Sequence, residues 1–153
     1  MTEVAESPGV PRRFLESDRR AVVYVIYDKR GRVDDFVLHA LRGLREHAHH
    51  IVAVVNGELR SDARRSLETL VDEVLQRENT GLDIWGQKAG LDLLGDRLAE
   101  FDEVVLTNDT WFGPGRPFSP IFQRMNAAEL DFWGLTDQTP EIEFGSIHAL
   151  EDG

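Results

Sequence analysis

Asn108 and Asp109 are the residues whose types and setting most directly suggest chemistry. They follow the apolar run Val104-Val105-Leu106 and precede Thr110-Trp111-Phe112-Gly113-Pro114. A short apolar run with β-branched members, closed by polar residues and then Gly-Pro, predicts a buried strand ending in a loop. In open α/β sheets, ligands collect outside the carboxyl ends of the strands. An Asp at that point, flanked by Asn and Thr, offers hard oxygen ligands suited to Mg2+ or Mn2+. The same residues also suit an Asx turn, in which Asn108 or Asp109 bonds its own backbone. Both readings stand on these dozen residues.

The elements that must position this pair can be read in order. Ala21–Tyr27 is a continuous β-branched and aromatic run, the pattern of a strand buried on both faces. Asp34 and Asp35 open a helix that carries Phe36, Val37, Ala40, Leu41 and Leu44 at helical spacing to about Glu46. Ile51–Val55 is a second buried strand, ended by Asn56-Gly57. Two strands joined by a helix make a βαβ unit, so the pair should be parallel. Ser61 or Asp62 is expected to cap a second helix with Ala63, Leu67, Leu70 and Val71 on one face. Val74 and Leu75 mark a short third strand ending near Arg77, and a third helix is expected from about Ile84 to Leu98. Its apolar side would be Ile84, Ala89, Leu91, Leu94 and Leu98. After the fourth strand, Phe118–Ala128 reads as a helix with Ser119 capping and Pro120 first. Asp131–Thr136 reads as a short strand or extended segment. The alternation predicts a doubly wound, mostly parallel α/β sheet with helices on both faces.

Composition bounds the rest. The 153 residues are 41% hydrophobic, which suits one domain. Residues 1–18 read as a flexible lead-in, 19–137 as the α/β domain and 138–153 as an acidic tail without clear periodicity. Cysteine is absent, so disulfides and thiolate sites are excluded. The net charge of −11 argues against nucleic acid, which needs a basic surface. No run of roughly 18 apolar residues predicts a membrane span, and no apolar stretch near the start reads as a secretory signal. A cytoplasmic location fits these negatives. Basic residues crowd the start (Arg12, Arg13, Arg19, Arg20, Lys29, Arg30 and Arg32), as a solvated flank or as a means of resting on the inner face of a membrane. Of the histidines, His39, His47, His49, His50 and His148, three cluster at a helix end without zinc-site spacing, and read as capping or surface groups.

Four blocks, in this order, resemble the rhamnan synthesis protein F family of bacterial cell-surface polysaccharide synthesis. They are Val33-Asp34-Asp35-Phe36-Val37-Leu38, Arg77-Glu78-Asn79-Thr80-Gly81-Leu82-Asp83, Leu106-Thr107-Asn108-Asp109-Thr110-Trp111-Phe112-Gly113-Pro114, and Asp131-Phe132-Trp133-Gly134-Leu135-Thr136-Asp137. The resemblance covers roughly Val22 to Asp137 and implies the nucleotide-binding half of an A-type glycosyltransferase. It implies transfer of a sugar, rhamnose from dTDP-rhamnose, to a polysaccharide or lipid-linked acceptor in rhamnan or lipopolysaccharide synthesis.

The resemblance also implies roles. Asp109 would hold a divalent cation, Mg2+ or Mn2+, against the donor diphosphate, with Asn108 beside it. This chain has Asn-Asp-Thr where such enzymes carry two acids around one residue. Tyr27 and Asp28 follow the first strand, where the nucleoside sits in such enzymes, or form an ordinary loop. Asn79, Gly81 and Asp83 follow the third strand. Gly81 would permit a close approach of the donor, and Asp83 would bind a sugar or ribose hydroxyl or cap the helix. Lys88, within the following helix, would face the donor phosphates or, more readily, stand as a solvated lysine. Trp85 and Trp133 read as core more readily than as stacking platforms, and Trp111 less so. Asp131 and Asp137 are the acids available as a base, and neither can be chosen from sequence. The alternative is a non-catalytic nucleotide-sugar-binding or interaction module, with an open sheet edge that favours self-association or a partner subunit.

Overall fold

The computed structural model describes residues 11–135. The expectations for Thr136, Asp137, His148 and the acidic tail lie outside them, as do residues 1–10. Elements run β1 (Arg20–Ile26), α1 (Asp35–Arg45), β2 (His50–Asn56), α2 (Ser61–Glu68), β3 (Glu73–Arg77), α3 (Leu82–Leu94), a 3-10 segment (Gly95–Glu100), β4 (Glu103–Asn108) and α4 (Ser119–Ala127). The four strands form one sheet in the order β3-β2-β1-β4. Every pairing is parallel. The fold is therefore the doubly wound α/β arrangement that the alternation predicts.

The reason lies in β1 and β2. All seven residues of β1 are buried, and so are six of the seven in β2. Alternate residues feed two cores. Val22, Tyr24 and Ile26 meet Val37, Ala40, Leu41 and Leu44 of α1, Leu67 of α2, and Phe118 and Phe122 on one face. Val23, Val25, Val52 and Val54 meet Leu94 and Leu91 of α3 on the other. Each such buried aliphatic side chain contributes about 1.5–3 kcal/mol. α3 lies very close to the sheet: a Cβ on Gly90 would stand 2.4 Å from Val23 Cγ1, and one on Gly86 2.7 Å from Val25 Cγ1. Only glycine permits that approach.

The chain winds outward from β1 to β2 and β3, then returns to place β4 on the other side of β1. The strand order thus reverses between β1 and β4, which opens a crevice at their carboxyl ends.

Several local expectations are corrected. α3 starts at Leu82 and stops at Gly95, whose φ of 51° breaks the helix into a 3-10 turn. Ile84 is 77% exposed rather than on the apolar side. Arg60 and Phe118, not Ser61, Asp62 or Ser119, occupy the N-cap positions of α2 and α4, and neither makes a side-chain cap. β4 is an edge strand among the described residues, half-buried with Leu106 45% exposed, because no described strand covers its outer side. Asp131–Leu135 forms no strand. Within the expected lead-in, Phe14 N–H donates to Asn126 C=O and Arg12 bridges to Leu130, so this stretch is tied to the body. No helix among the described residues is long and apolar enough to cross a membrane.

Candidate functional site

The loops after β1, β2, β3 and β4 meet at the carboxyl end of the sheet. Asn108 closes β4, in register with Val25 of β1. Its side chain makes the turn that the sequence allows. Asn108 Oδ1 accepts from Thr110 Oγ1 at 2.8 Å and from Thr110 N–H at 3.3 Å. Its amide also donates to Asp83 Oδ2 at 2.6 Å, linking β4 to the first turn of α3. Asp109 does something different. Its Oδ2 accepts the backbone N–H of Tyr27 at 2.9 Å, across the gap between the two strand ends.

Tyr27 is the first residue past β1, with its ring half exposed. The ring lies over the turn after β2, because a Cβ on Gly57 would stand 3.9 Å from Tyr27 Cε2 and 3.7 Å from Asn79 Cβ. Asp28 organises the loop that follows: its Oδ1 accepts from Arg30 N–H at 2.8 Å and Arg32 N–H at 3.2 Å. Burial pushes its carboxyl up, but these two donors outweigh that and leave it below the usual carboxylate range.

The loop from β3 to α3 carries the strain. Gly81 has φ 72° and Leu82 has φ 54°, so two successive residues are left-handed. A Cβ on Gly81 would also fall 1.7 Å from Trp85 Cδ1. Leu82 is not glycine, and its left-handed backbone is costly. Buried Asn56 holds it there. Asn56 Nδ2 donates to Leu82 C=O at 3.2 Å, and Asn56 Oδ1 accepts from Arg77 Nη1 at 2.6 Å. Asp83 is not a cap, because Gly81 holds the N-cap position and makes no side-chain cap. Trp85 is 56% exposed, which corrects the expectation of a core ring. Trp133 packs on the core and donates to Glu103 Oε2 at 3.1 Å, and Trp111 donates to Thr107 Oγ1 at 3.0 Å.

The seven residues singled out from sequence thus meet at one end of the sheet. The family described as rhamnan synthesis protein F matches residues 51–149, well over half of the chain, a span that includes Asn79, Gly81, Asp83, Asn108 and Asp109 but not Tyr27, Asp28 or the Val33–Leu38 block. The chain belongs to the rhamnan synthesis protein F family. A second similarity is partial. Isoleucine–tRNA ligase of Aromatoleum aromaticum is 36% identical over 66 residues, which cover 42% of this chain and 7% of that enzyme. The chain spans only that 7% of the curated relative it matches, so the ligase's activity carries no weight here. No solved structure matches.

The electrostatics of this rhamnan synthesis protein F member centre on Asp109. Burial raises its carboxyl above the usual range; the Tyr27 and Asp109 backbone N–H groups work against the rise, and the charges of Asp83 and Asp28 add to it. A cation at this point would relieve that cost. Yet no group of three or more His, Asp or Glu side chains converges closely enough to hold a metal among the described residues. An ion such as Mg2+, which keeps waters and takes one or two carboxylates plus a ligand's phosphates, would find a single carboxylate at this point. Asp109 would be its protein ligand.

Sequence reasoning missed two residues here. Tyr24 is fully buried, and its hydroxyl has no hydrogen-bond partner among the described residues. Burial, then the charge of Asp109, pushes its ionisation far up. The other is Asn56, whose role depends on Arg77 and Leu82 arriving from β3 and α3. An Asn at the end of a buried strand was the available signal. Asp131 can be set aside as a crevice base. Its neighbours Leu130 and Trp133 contact Arg12 and Glu103 at the amino ends of the strands, the length of β4 away from Asp109, or ~17–20 Å. Of the described histidines, His39 and His49 are exposed as expected of surface groups, while His47 and His50 are half-buried. His47 stacks on Phe122 at 4.5 Å, and His49 Nδ1 accepts Arg20 N–H at 3.1 Å. Lys88 is exposed and pairs with Asp92, as a solvated lysine should.

Proposed function

We propose that the chain binds a nucleotide-sugar donor across the carboxyl ends of β1 and β4 and serves sugar transfer in rhamnan synthesis. The donor in this reading is dTDP-rhamnose, and the acceptor is a polysaccharide or lipid-linked glycan. The observation that carries it is the Asp109 carboxylate, half-buried at the reversal of strand order and fixed by Tyr27 N–H. Family membership supplies the substrate class.

The chain's own residues divide the task. Tyr27, backed by Gly57 and Asn79, offers a flat surface for a base. Gly81, expected to admit the donor, instead leaves room for the Trp85 ring, which lies against the entrance to α3. Asn108 and Asp83 tie α3 to β4 and so fix the distance between the two sides. Asp109 takes the cation side of the diphosphate. A bound Mg2+ or Mn2+ would supply Lewis-acid stabilisation of the charge that builds on the departing diphosphate.

A second reading is a non-catalytic module that binds the donor or a partner. It is favoured by one finding: among the described residues, Asp131, the acid of the matching region, lies at the opposite end of the sheet. Calorimetric titration of dTDP-rhamnose and other nucleotide sugars, with and without Mn2+, tests donor binding. Metal-dependent binding that Asp109→Ala abolishes is expected. Absence of binding at millimolar donor, or full binding by Asp109→Ala, would overturn the donor site. Turnover with an acceptor then separates the transferase from the module.

A further inference from the structure

The loop after Asp109 holds an aromatic pair that the donor reading leaves unused. Phe112 is 81% exposed, yet it does not sit on a loose loop. Before it, Trp111 is anchored to Thr107. After it, Pro114 C=O accepts a hydrogen bond from His39 Nε2 at 2.8 Å, and the Pro114 ring packs on Gly43 of α1. Between these anchors the Phe112 ring rests on Phe36, at the start of α1, with centroids 4.5 Å apart and planes tilted by 42°. The chain thus fixes a large apolar ring in solvent and backs it with a second ring that reaches into the core.

We propose that Phe36 and Phe112 form the surface on which a pyranose ring of the acceptor glycan stacks. This rests on Asp109 as the donor-phosphate residue. Phe112 follows Asp109 by three positions, so the two backbones are within roughly 10 Å, about one or two sugar rings. The nucleoside surface, Tyr27 over Gly57 and beside Asn79, lies toward β2 and β3. The Phe36–Phe112 pair lies toward α1. A donor spanning Tyr27 and Asp109 therefore leaves the pair free on the far side of the reacting bond. Phenylalanine carries no hydrogen-bonding group, so it selects the C–H face of a sugar rather than its hydroxyls. A deoxysugar polymer, with a methyl in place of one hydroxymethyl, suits that surface. Among the described residues the Phe112 ring is open on its outer side, so a glycan can cross it and continue. Two rings also fall far short of the roughly 1,000 Å2 that a specific protein interface needs.

The test uses the full chain and an α-linked rhamnose trisaccharide, observed by saturation-transfer NMR and titration. Saturation should reach the methyl and ring C–H protons. Phe112→Ala should lower trisaccharide affinity tenfold or more with the melting temperature and Mn2+-dependent dTDP-rhamnose binding unchanged, and Phe36→Leu should lower it less. Asp109→Ala should leave trisaccharide binding intact. Trisaccharide binding without any donor binding would remove the donor reading and keep the aromatic platform. The proposal is overturned by wild-type affinity in Phe112→Ala, by no trisaccharide binding, or by an equal loss of donor affinity in Phe112→Ala. It is also overturned by a wild-type dimer that Phe112→Ala dissolves.

Discussion

The two ends of the sheet treat polar groups differently. At the amino ends of the strands, Arg20 is only 2% exposed. It pairs with Glu103, donates to His47 C=O and Asn126 Oδ1, and lies between the rings of Phe14 and Phe122. Asp18 and Glu73 at this end sit below the usual carboxylate range, held there first by Arg12 and Arg97 respectively. At the carboxyl ends, Asp109 sits above its usual value, Tyr24 has an orphan hydroxyl, and Leu82 is left-handed. The carboxyl end is mixed: the N–H groups of its own loop hold Asp28 below the usual range, whereas burial leaves Asp109 above it even though Asp109 accepts Tyr27 N–H. Unsatisfied groups and strain collect where ligands bind, because a structure that needed nothing more would gain little from binding.

The largest expected effect breaks the satisfied end. Arg20→Met leaves Glu103 and Asn126 without their partner, and loss of one member of a buried pair costs about 3–5 kcal/mol. Urea unfolding should show this loss, while donor binding by the remaining folded protein should persist. Leu82→Gly acts at the other end. It relieves a left-handed leucine and should raise stability by about 1 kcal/mol in the same assay. Donor affinity should fall as the entrance to α3 loosens.

The third prediction separates the ends by sign. Burial raises Asp109, so its charged form costs stability above the folded value, and that cost vanishes below the ordinary aspartate value. Asp109→Asn, in a metal chelator, should therefore stabilise near neutral pH and do nothing below about pH 4. For Asp72, burial pushes the carboxyl up, but Arg45 and Ile51 N–H outweigh it and lower it overall. Its contribution is full above the ordinary value and fades as pH falls through the folded value. Asp72→Asn should therefore destabilise at neutral pH, with the loss shrinking in acid. Chemical unfolding across pH checks both. The smallest effect is Tyr24→Phe, which removes a hydroxyl that has no partner among the described residues. It should leave stability unchanged or raise it by up to ~1 kcal/mol.

The two ends were also unequally legible. Ala21–Tyr27 and Ile51–Val55 announced buried strands because every residue in them is apolar, and the helices between them dictated parallel pairing. Asp109 was legible from its position past an apolar run. The misreadings share a cause: features that depend on distant partners. Trp85 looks like core by size, yet the turn at Gly81-Leu82 sets it on the surface. Ile84 fits a helical stripe, but glycines at positions 86 and 90 supply the buried face instead. The Phe36–Phe112 pair joins two motifs that no periodicity connects. The want of a partner at Tyr24 is a property of packing rather than of sequence.

The Arg20 cage has a consequence for how the chain reaches its native state. Its walls come from Phe14 before β1 and from Phe122 and Asn126 of α4. A sheet assembled without those walls would carry a charge in its interior with no company. Closure of the cage therefore binds the stretch around Phe14, β1 and α4 into one cooperative unit. Amide protons of Arg20 and of the middle of α4 should exchange at a common rate, set by global opening rather than by fraying of either segment.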